Sequence, residues 1–179
     1  NINPNYIEAK AGLSQAYGEA VTNKNLLMIN NEGRSQSYCN AIKLAITGNE
    51  LVLEIGESTG LLSMVAADEG AKDVIKCTSS ETLSVAANAI INHNKYGNKV
   101  KIITNKPTKI LTGEEIPKKA DLIISDFLSV DFTERGVLST ILDANQRLLS
   151  ENGKIIPESA EIKVALLGEN PEVNDMLKV

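Results

Sequence analysis

The strongest chemical signal in the chain lies in residues 51–60, LVLEIGESTG. An unbroken apolar run closes on Glu54, passes through the glycine-bounded turn Gly56-Glu57-Ser58-Thr59-Gly60, and leads into the amphipathic segment LLSMVAADEG. This is the pattern of a buried parallel strand feeding a helix. At the carboxyl edge of an open sheet, such a turn lets helix amides and closely approaching backbone hold a nucleotide-like ligand. The turn lacks the middle glycine of GxGxxG, which disfavours a nicotinamide dehydrogenase, and it lacks the GK[ST] of a phosphate loop. Arg34 stands at the amino end of a helical pattern, either as a solvated charge or as a guanidinium that grips a ligand carboxylate with two parallel hydrogen bonds. His93, beside Asn92 and Asn94, reads as a helix-terminal surface group rather than a catalyst. Ser79 and Ser80 have no base near them in sequence, so nucleophilic catalysis is not a candidate. Cys39 and Cys77 lie far apart with no CxxC spacing, which argues against a zinc site or a disulfide framework and for buried thiols in a reducing compartment.

The elements that must position these groups alternate regularly from Leu51 onward. Strand LVLEI precedes a helix over 61–69, strand DVIKC, a helix over 81–93 and strand KVKIIT. A polar loop with Pro107, Gly113 and Pro117 then leads to strand ADLIIS, a helix over 136–149, the turn ENG and strand KIIP. This alternation predicts a parallel sheet with right-handed crossovers. Ahead of it, residues 5–21 repeat apolar positions at helical intervals, and a second helical pattern runs through Tyr38, Ile42 and Ala45 to Gly48. NPNYIEAKAGLSQAYGEA also looks like half a tetratricopeptide unit, although one unit does not make a repeat array. A last run, AEIKVALLG, is a candidate for one more strand.

The 179 residues suffice for one domain with a full sheet-and-helix core. With no Trp and only two Phe, that core must be mainly aliphatic. The formal net charge of −5 leaves no general electrostatic footprint for nucleic acid or an anionic membrane. No apolar run approaches the length of a membrane span and no signal peptide is recognisable, so the expected location is cytoplasmic or nuclear. The missing initiator Met and the abrupt end at Val179 suggest a fragment of something longer.

Four stretches read together, INNEGRSQSYCNAIKLA, LVLEIGESTGLLSMVA, ADLIISDFLSVDFTERG and NGKIIPESAEIKVALL, resemble the protein arginine methyltransferases. The resemblance is greatest to the larger members that carry tetratricopeptide repeats and tandem methyltransferase modules. It implies the class I S-adenosylmethionine-dependent methyltransferase fold: an α/β, Rossmann-like, mostly parallel sheet with helices on both faces and helices at the N-terminus. It implies an N-terminal helical segment over 1–47 packed on the core, a methyltransferase-like domain over 48–168, and the start of a β-barrel region over 169–179.

The family's cofactor turn reads D-x-G-x-G-x-G. On this chain Glu54 takes the place of the acid, Gly56 and Gly60 the outer glycines, and Ser58 replaces the middle one, where a side chain is expected to restrict backbone approach and access to positive φ. The arginine that pairs with the cofactor carboxylate falls on Arg34. The acid that receives the ribose hydroxyls falls on Thr78, whose single hydroxyl cannot supply two charged oxygens. The two substrate-clamping glutamates fall on Asp126 and on Arg135, which would repel a guanidinium; a one-residue bulge would bring Glu134 into that place instead. Asp131 is a further carboxylate in the same loop, with a solvated surface role its ordinary one.

Two readings follow from the resemblance. One is an active S-adenosylmethionine-dependent protein arginine N-methyltransferase, with Arg34, Glu54, Gly56, Gly60 and Thr78 at the cofactor and Asp126 with Glu134 or Asp131 at the substrate. The other is a non-catalytic, pseudoenzyme-like module whose cofactor affinity is weakened or lost. It would act on or beside a partner protein, together with a methyltransferase module or barrel outside these residues. Neither reading calls for a metal, a membrane or direct contact with nucleic acid.

Overall fold

The structure is a computed structural model that describes residues 27, 28, 30–126 and 136–161. The helix expected over 5–21, the segment holding Asp131, Glu134 and Arg135, and the chain beyond residue 161 lie outside the described residues.

Five strands form one sheet: β1 (Leu51–Ile55), β2 (Asp73–Thr78), β3 (Val100–Thr104), β4 (Ala120–Ser125) and β5 (Leu149–Ile156). Their order is β3-β2-β1-β4-β5 and every pairing is parallel. Among the described residues the helices that connect or precede them are α1 (Glu32–Ala45), α2 (Leu61–Asp68), α3 (Glu81–His93) and α4 (Val137–Arg147). This is the Rossmann-like α/β architecture that the sequence predicts.

The alternation of side chains along β1 explains the layering. Leu51, Leu53 and Ile55 enter one core with Ile75, Ile103, Ala144 and Leu148. Val52 enters the other with Ile42, Leu62, Ala87 and Ile91. Helices α1, α2 and α3 therefore cover one face, while α4 and the loop residues Ile110 and Ile116 cover the other. Burying each such aliphatic side chain contributes roughly 1.5–3 kcal/mol, so the continuous apolar run of β1 is what places it at the sheet's centre.

Local chemistry sets the helix starts. The Asn31 side chain accepts from the Arg34 amide at 2.9 Å to cap α1, and Ser80 Oγ accepts from the Leu83 amide at 3.2 Å to cap α3. Helix α2 differs, because its N-cap is Gly60 at φ 88° with no side chain of its own to bond the first turn.

Two details depart from the sequence pattern. The segment ENG is not a turn before the last strand but part of β5, whose pairing jumps from Ala120↔Leu149 to Leu122↔Lys154. β5 advances five residues while β4 advances two, so the extra residues fold back within the strand. A Cβ on Gly153 would come 2.6 Å from Leu149 Cδ1, which shows how closely that fold-back is packed. The polar loop after β3 also has structure of its own, a 3₁₀ turn over Pro107–Lys109. Arg147 of α4 clasps it, donating through one terminal nitrogen to the Pro107 carbonyl at 2.9 Å and through the other to the Ile110 carbonyl.

Candidate functional site

The sheet order reverses direction between β1 and β4, so the crevice at their carboxyl ends is the natural ligand position of an open α/β sheet. The 56–60 turn leaves β1 on one side of this crevice, and Asp126 follows β4 on the other. Gly56 has φ 149°, and a Cβ there would meet the Asp126 backbone and Cβ at about 3.0 Å. Glycine at this position is what lets turn and acid pass so closely. Gly60 at φ 88° is similarly constrained, since a Cβ would come 2.8 Å from Ile91 Cδ1.

Beneath the turn lies a buried polar network. Glu54 points into the α2 face with no exposure, and its Oε2 accepts from the Ser63 amide at 2.8 Å and from the Ser63 hydroxyl. It thereby supplies the cap that Gly60 cannot give α2. Lys76, directly opposite Glu54 in the β1–β2 pairing and equally enclosed, places Nζ 3.1 Å from Glu54 Oε1. The same ammonium donates to Ser58 Oγ at 2.8 Å and to the Gly56 carbonyl at 3.4 Å, while the Ser58 hydroxyl donates to Glu54. Burial pushes the Glu54 carboxyl up, but the Lys76 charge and the bonds from Ser58 and Ser63 outweigh it and hold the group below the usual carboxylate range.

This network gives Ser58 a role that the sequence does not show. Among the described residues the only non-glycine at positive φ is Lys95, so position 58 needs no glycine for its backbone. Its hydroxyl is a working part of the turn: it joins Glu54 to Lys76 and accepts from the Gly60 amide at 3.2 Å. Sequence reasoning missed Lys76, because a single lysine inside VIKCT carries no signal until β1 and β2 are aligned.

At the rim of the crevice the structure brings Arg34 and Asp126 together, the guanidinium donating to Asp126 Oδ1. Tyr38, one turn further along α1, donates from its hydroxyl to the Ser125 carbonyl at 2.9 Å. Its ring lies 4.6 Å from Arg34 Cζ, so one residue both docks α1 on the end of β4 and supports the arginine from below. Burial pushes the Tyr38 phenol up to about 12. Burial and then the Glu54 charge push the Asp126 carboxyl up, against the pull of Arg34. Beside it, Ser125 Oγ is the single buried side-chain polar atom without a hydrogen-bond partner among the described residues.

Thr78 closes β2 on the third side and is fully enclosed. Its hydroxyl donates to Glu57 Oε2 at 2.5 Å, and the Ser79 amide and hydroxyl donate to Glu57 Oε1 at 3.0 and 2.6 Å. Of the residues expected at the site, Gly56 and Gly60 follow β1, Thr78 ends β2, Asp126 follows β4 and meets Arg34 of α1, Glu54 lies buried beneath the turn, and Glu134 lies outside the described residues. The remaining candidates fall elsewhere: His93 is exposed at the end of α3, Cys77 is buried with its thiol pushed up to about 12 by burial, and Cys39 is half-buried. No cluster of three or more potential metal ligands, and no helix long and apolar enough to cross a membrane, occurs among the described residues.

A parallel sheet whose order reverses at β1 and β4, with a glycine turn and an arginine at that point, defines a Rossmann-like α/β fold of the nucleotide-binding kind. No family model matches the chain. Individual relatives do: protein arginine N-methyltransferase 7 of Drosophila erecta is 34% identical over 139 residues, covering 74% of this chain and 20% of the relative. Protein arginine N-methyltransferase 9 of Xenopus laevis is 30% identical over 183 residues, covering 96% of this chain and 22% of the relative. Among solved structures, the Trypanosoma brucei PRMT1 enzyme-prozyme heterotetrameric complex with AdoHcy matches with a TM-score of 0.67 and 29% identity, over 78% of this chain and 43% of that one. The chain belongs to the protein arginine methyltransferase family. It spans about a fifth of the length of these curated relatives.

Proposed function

We propose that this chain is a methyltransferase-like module that holds an S-adenosylmethionine-type cofactor and transfers no methyl group by itself. The residues present fit such a group in kind: a guanidinium for its carboxylate, a glycine-bounded turn leading into a helix N-terminus, carboxylate and hydroxyl acceptors for its sugar, and an unpartnered Ser125 hydroxyl at the end of β4. When bound, the cofactor supplies an electrophilic methyl group on a sulfonium. Arg34 has five N–H donors and retains capacity for a carboxylate beyond its bond to Asp126.

The observation that carries the non-catalytic reading is the Arg34–Asp126 pair. The carboxylate expected to clamp a substrate guanidinium is 8% exposed and already engaged by a guanidinium of the protein. It is also one methylene shorter than the glutamate of the family pattern. Calorimetry with S-adenosylmethionine, paired with a radiolabelled methyl-transfer assay on an arginine-rich peptide, tests the proposal. Heat of binding without transfer is the expected result, and methyl transfer by this chain alone overturns it.

An active arginine N-methyltransferase is the second reading, favoured by the position of Asp126 beside the glycine turn. It requires Glu134 as the second acid. On either reading the module is proposed to work in the cytoplasm or nucleus with protein partners or substrates. The assembly of an enzyme with a prozyme in the Trypanosoma brucei complex supports pairing with a catalytic module. The division into residues 1–47, 48–168 and 169–179 remains part of this proposal.

A further inference from the structure

We infer that Glu57, a turn residue, is the group that receives the ribose diol of the nucleoside in this chain. The inference rests on the cofactor-binding reading above and deepens it. In open nucleotide-binding sheets the ribose is bonded by an acid about 20 residues past the start of the glycine turn, near the end of the second strand. Here that place belongs to Thr78, which is enclosed and carries no charge. A carboxylate nevertheless reaches the same spot from the opposite wall. Glu57 leaves the turn and is met at the end of β2 by the Thr78 hydroxyl at 2.5 Å, the Ser79 amide at 3.0 Å and the Ser79 hydroxyl at 2.6 Å.

These bonds orient the acid. The Ser79 amide is a fixed donor and holds Oε1 in place, whereas the Thr78 and Ser79 hydroxyls rotate to suit their surroundings. The Ser79 amide and hydroxyl together occupy Oε1, so a vicinal diol reaches both oxygens by displacing the rotatable Ser79 and Thr78 hydroxyls while the amide keeps its bond. Bonds to an ionised carboxylate are roughly twice as strong as neutral ones, which makes Glu57 a selective acceptor for a sugar with two adjacent hydroxyls. Glu57 is half-buried, so its side chain is not sealed in the core. The acid has in effect changed walls: the turn supplies the charge, and the strand end supplies hydroxyls that position it.

The test uses the whole 179-residue chain and isothermal titration with S-adenosylhomocysteine and its 2′-deoxyribose analogue. The wild type is expected to prefer the ribose form by about tenfold, as one charge-assisted bond warrants. Glu57→Ala is expected to weaken S-adenosylhomocysteine about tenfold or more and to bind the two ligands alike. The exchange Glu57→Thr with Thr78→Glu restores the preference by returning the acid to β2. Circular dichroism confirms that each variant is folded. Unchanged or tighter binding by Glu57→Ala overturns the assignment of Glu57 alone, tighter binding marking the side chain as a plug in the sugar site. Failure of a folded wild type to bind either ligand overturns the cofactor reading and this inference with it.

Discussion

Two acid–base pairs frame the crevice, and they obey different rules. Glu54 and Lys76 sit beneath the turn with no exposure on either side chain, joined to each other and to Ser58. Arg34 and Asp126 sit at the rim, 20% and 8% exposed. The lower pair is permanently internal, because neither charge can find water if the other leaves. The upper pair lies where the proposed cofactor would sit, and its arginine keeps donors for a second partner. The first pair therefore belongs to the fold, and the second, on the proposed reading, to recognition. The two carboxyls shift in opposite directions for the same reason: Lys76 outweighs burial at Glu54, whereas Arg34 does not at Asp126.

The largest expected effect tests the lower pair. Lys76→Met leaves Glu54 buried without a counter-charge and should lower stability in urea denaturation by about 3–5 kcal/mol. A loss below about 1 kcal/mol would show that the pair is not internal in solution. Next comes Ser58→Gly, which restores the family's turn residue but strips hydrogen-bonding partners from Glu54 and Lys76. It should cost about 1–3 kcal/mol and leave cofactor affinity no better than the wild type by calorimetry. Asp126→Asn should change stability by less than about 1 kcal/mol, because burial already disfavours the charge that it removes.

The smallest effect is the pH dependence, which should differ in sign between the two acids. Glu54 is held low when folded, so its contribution is fully present above the unfolded value of about 4.3 and is lost as pH falls through the lower folded value. Asp126 is held high, so it favours the fold below about 3.9 and that advantage is lost as pH rises through the raised folded value. Urea titrations over the acid range should show Asp126→Asn gaining on the wild type as pH rises. Parallel curves would remove the contrast between the pairs.

Much of this architecture is readable from the chain. The apolar runs LVLEI, DVIKC and ADLIIS, each followed by a helical period, determine a doubly covered parallel sheet, and the structure has it. Arg34, Gly56, Gly60, Thr78 and Asp126 also lie toward the carboxyl ends of β1, β2 and β4, because each sits at a strand end or helix start whose place follows from the topology. Side-chain reach across elements is not readable. Nothing in GESTG says that Glu57 bends to the end of β2, or that Ser58 turns down toward a lysine 18 residues away. The ENG segment misleads for a related reason: turn-forming residues look alike whether the chain ends a strand or folds back within one.

The Glu54–Lys76 pairing has a further consequence for how the chain finds its fold. β1 and β2 are otherwise short aliphatic ribbons, and Val, Ile and Leu would tolerate several alignments almost equally. Because side chains alternate between faces, sliding β2 by one residue would drive the Lys76 ammonium into the layer formed by Leu53, Ile55 and Ile103. Sliding by two would keep the face but separate the charges, leaving each without its partner in an apolar setting. Two oppositely charged residues on neighbouring strands thus act as a key that admits one alignment and rejects its neighbours, a discrimination the surrounding aliphatic residues cannot provide.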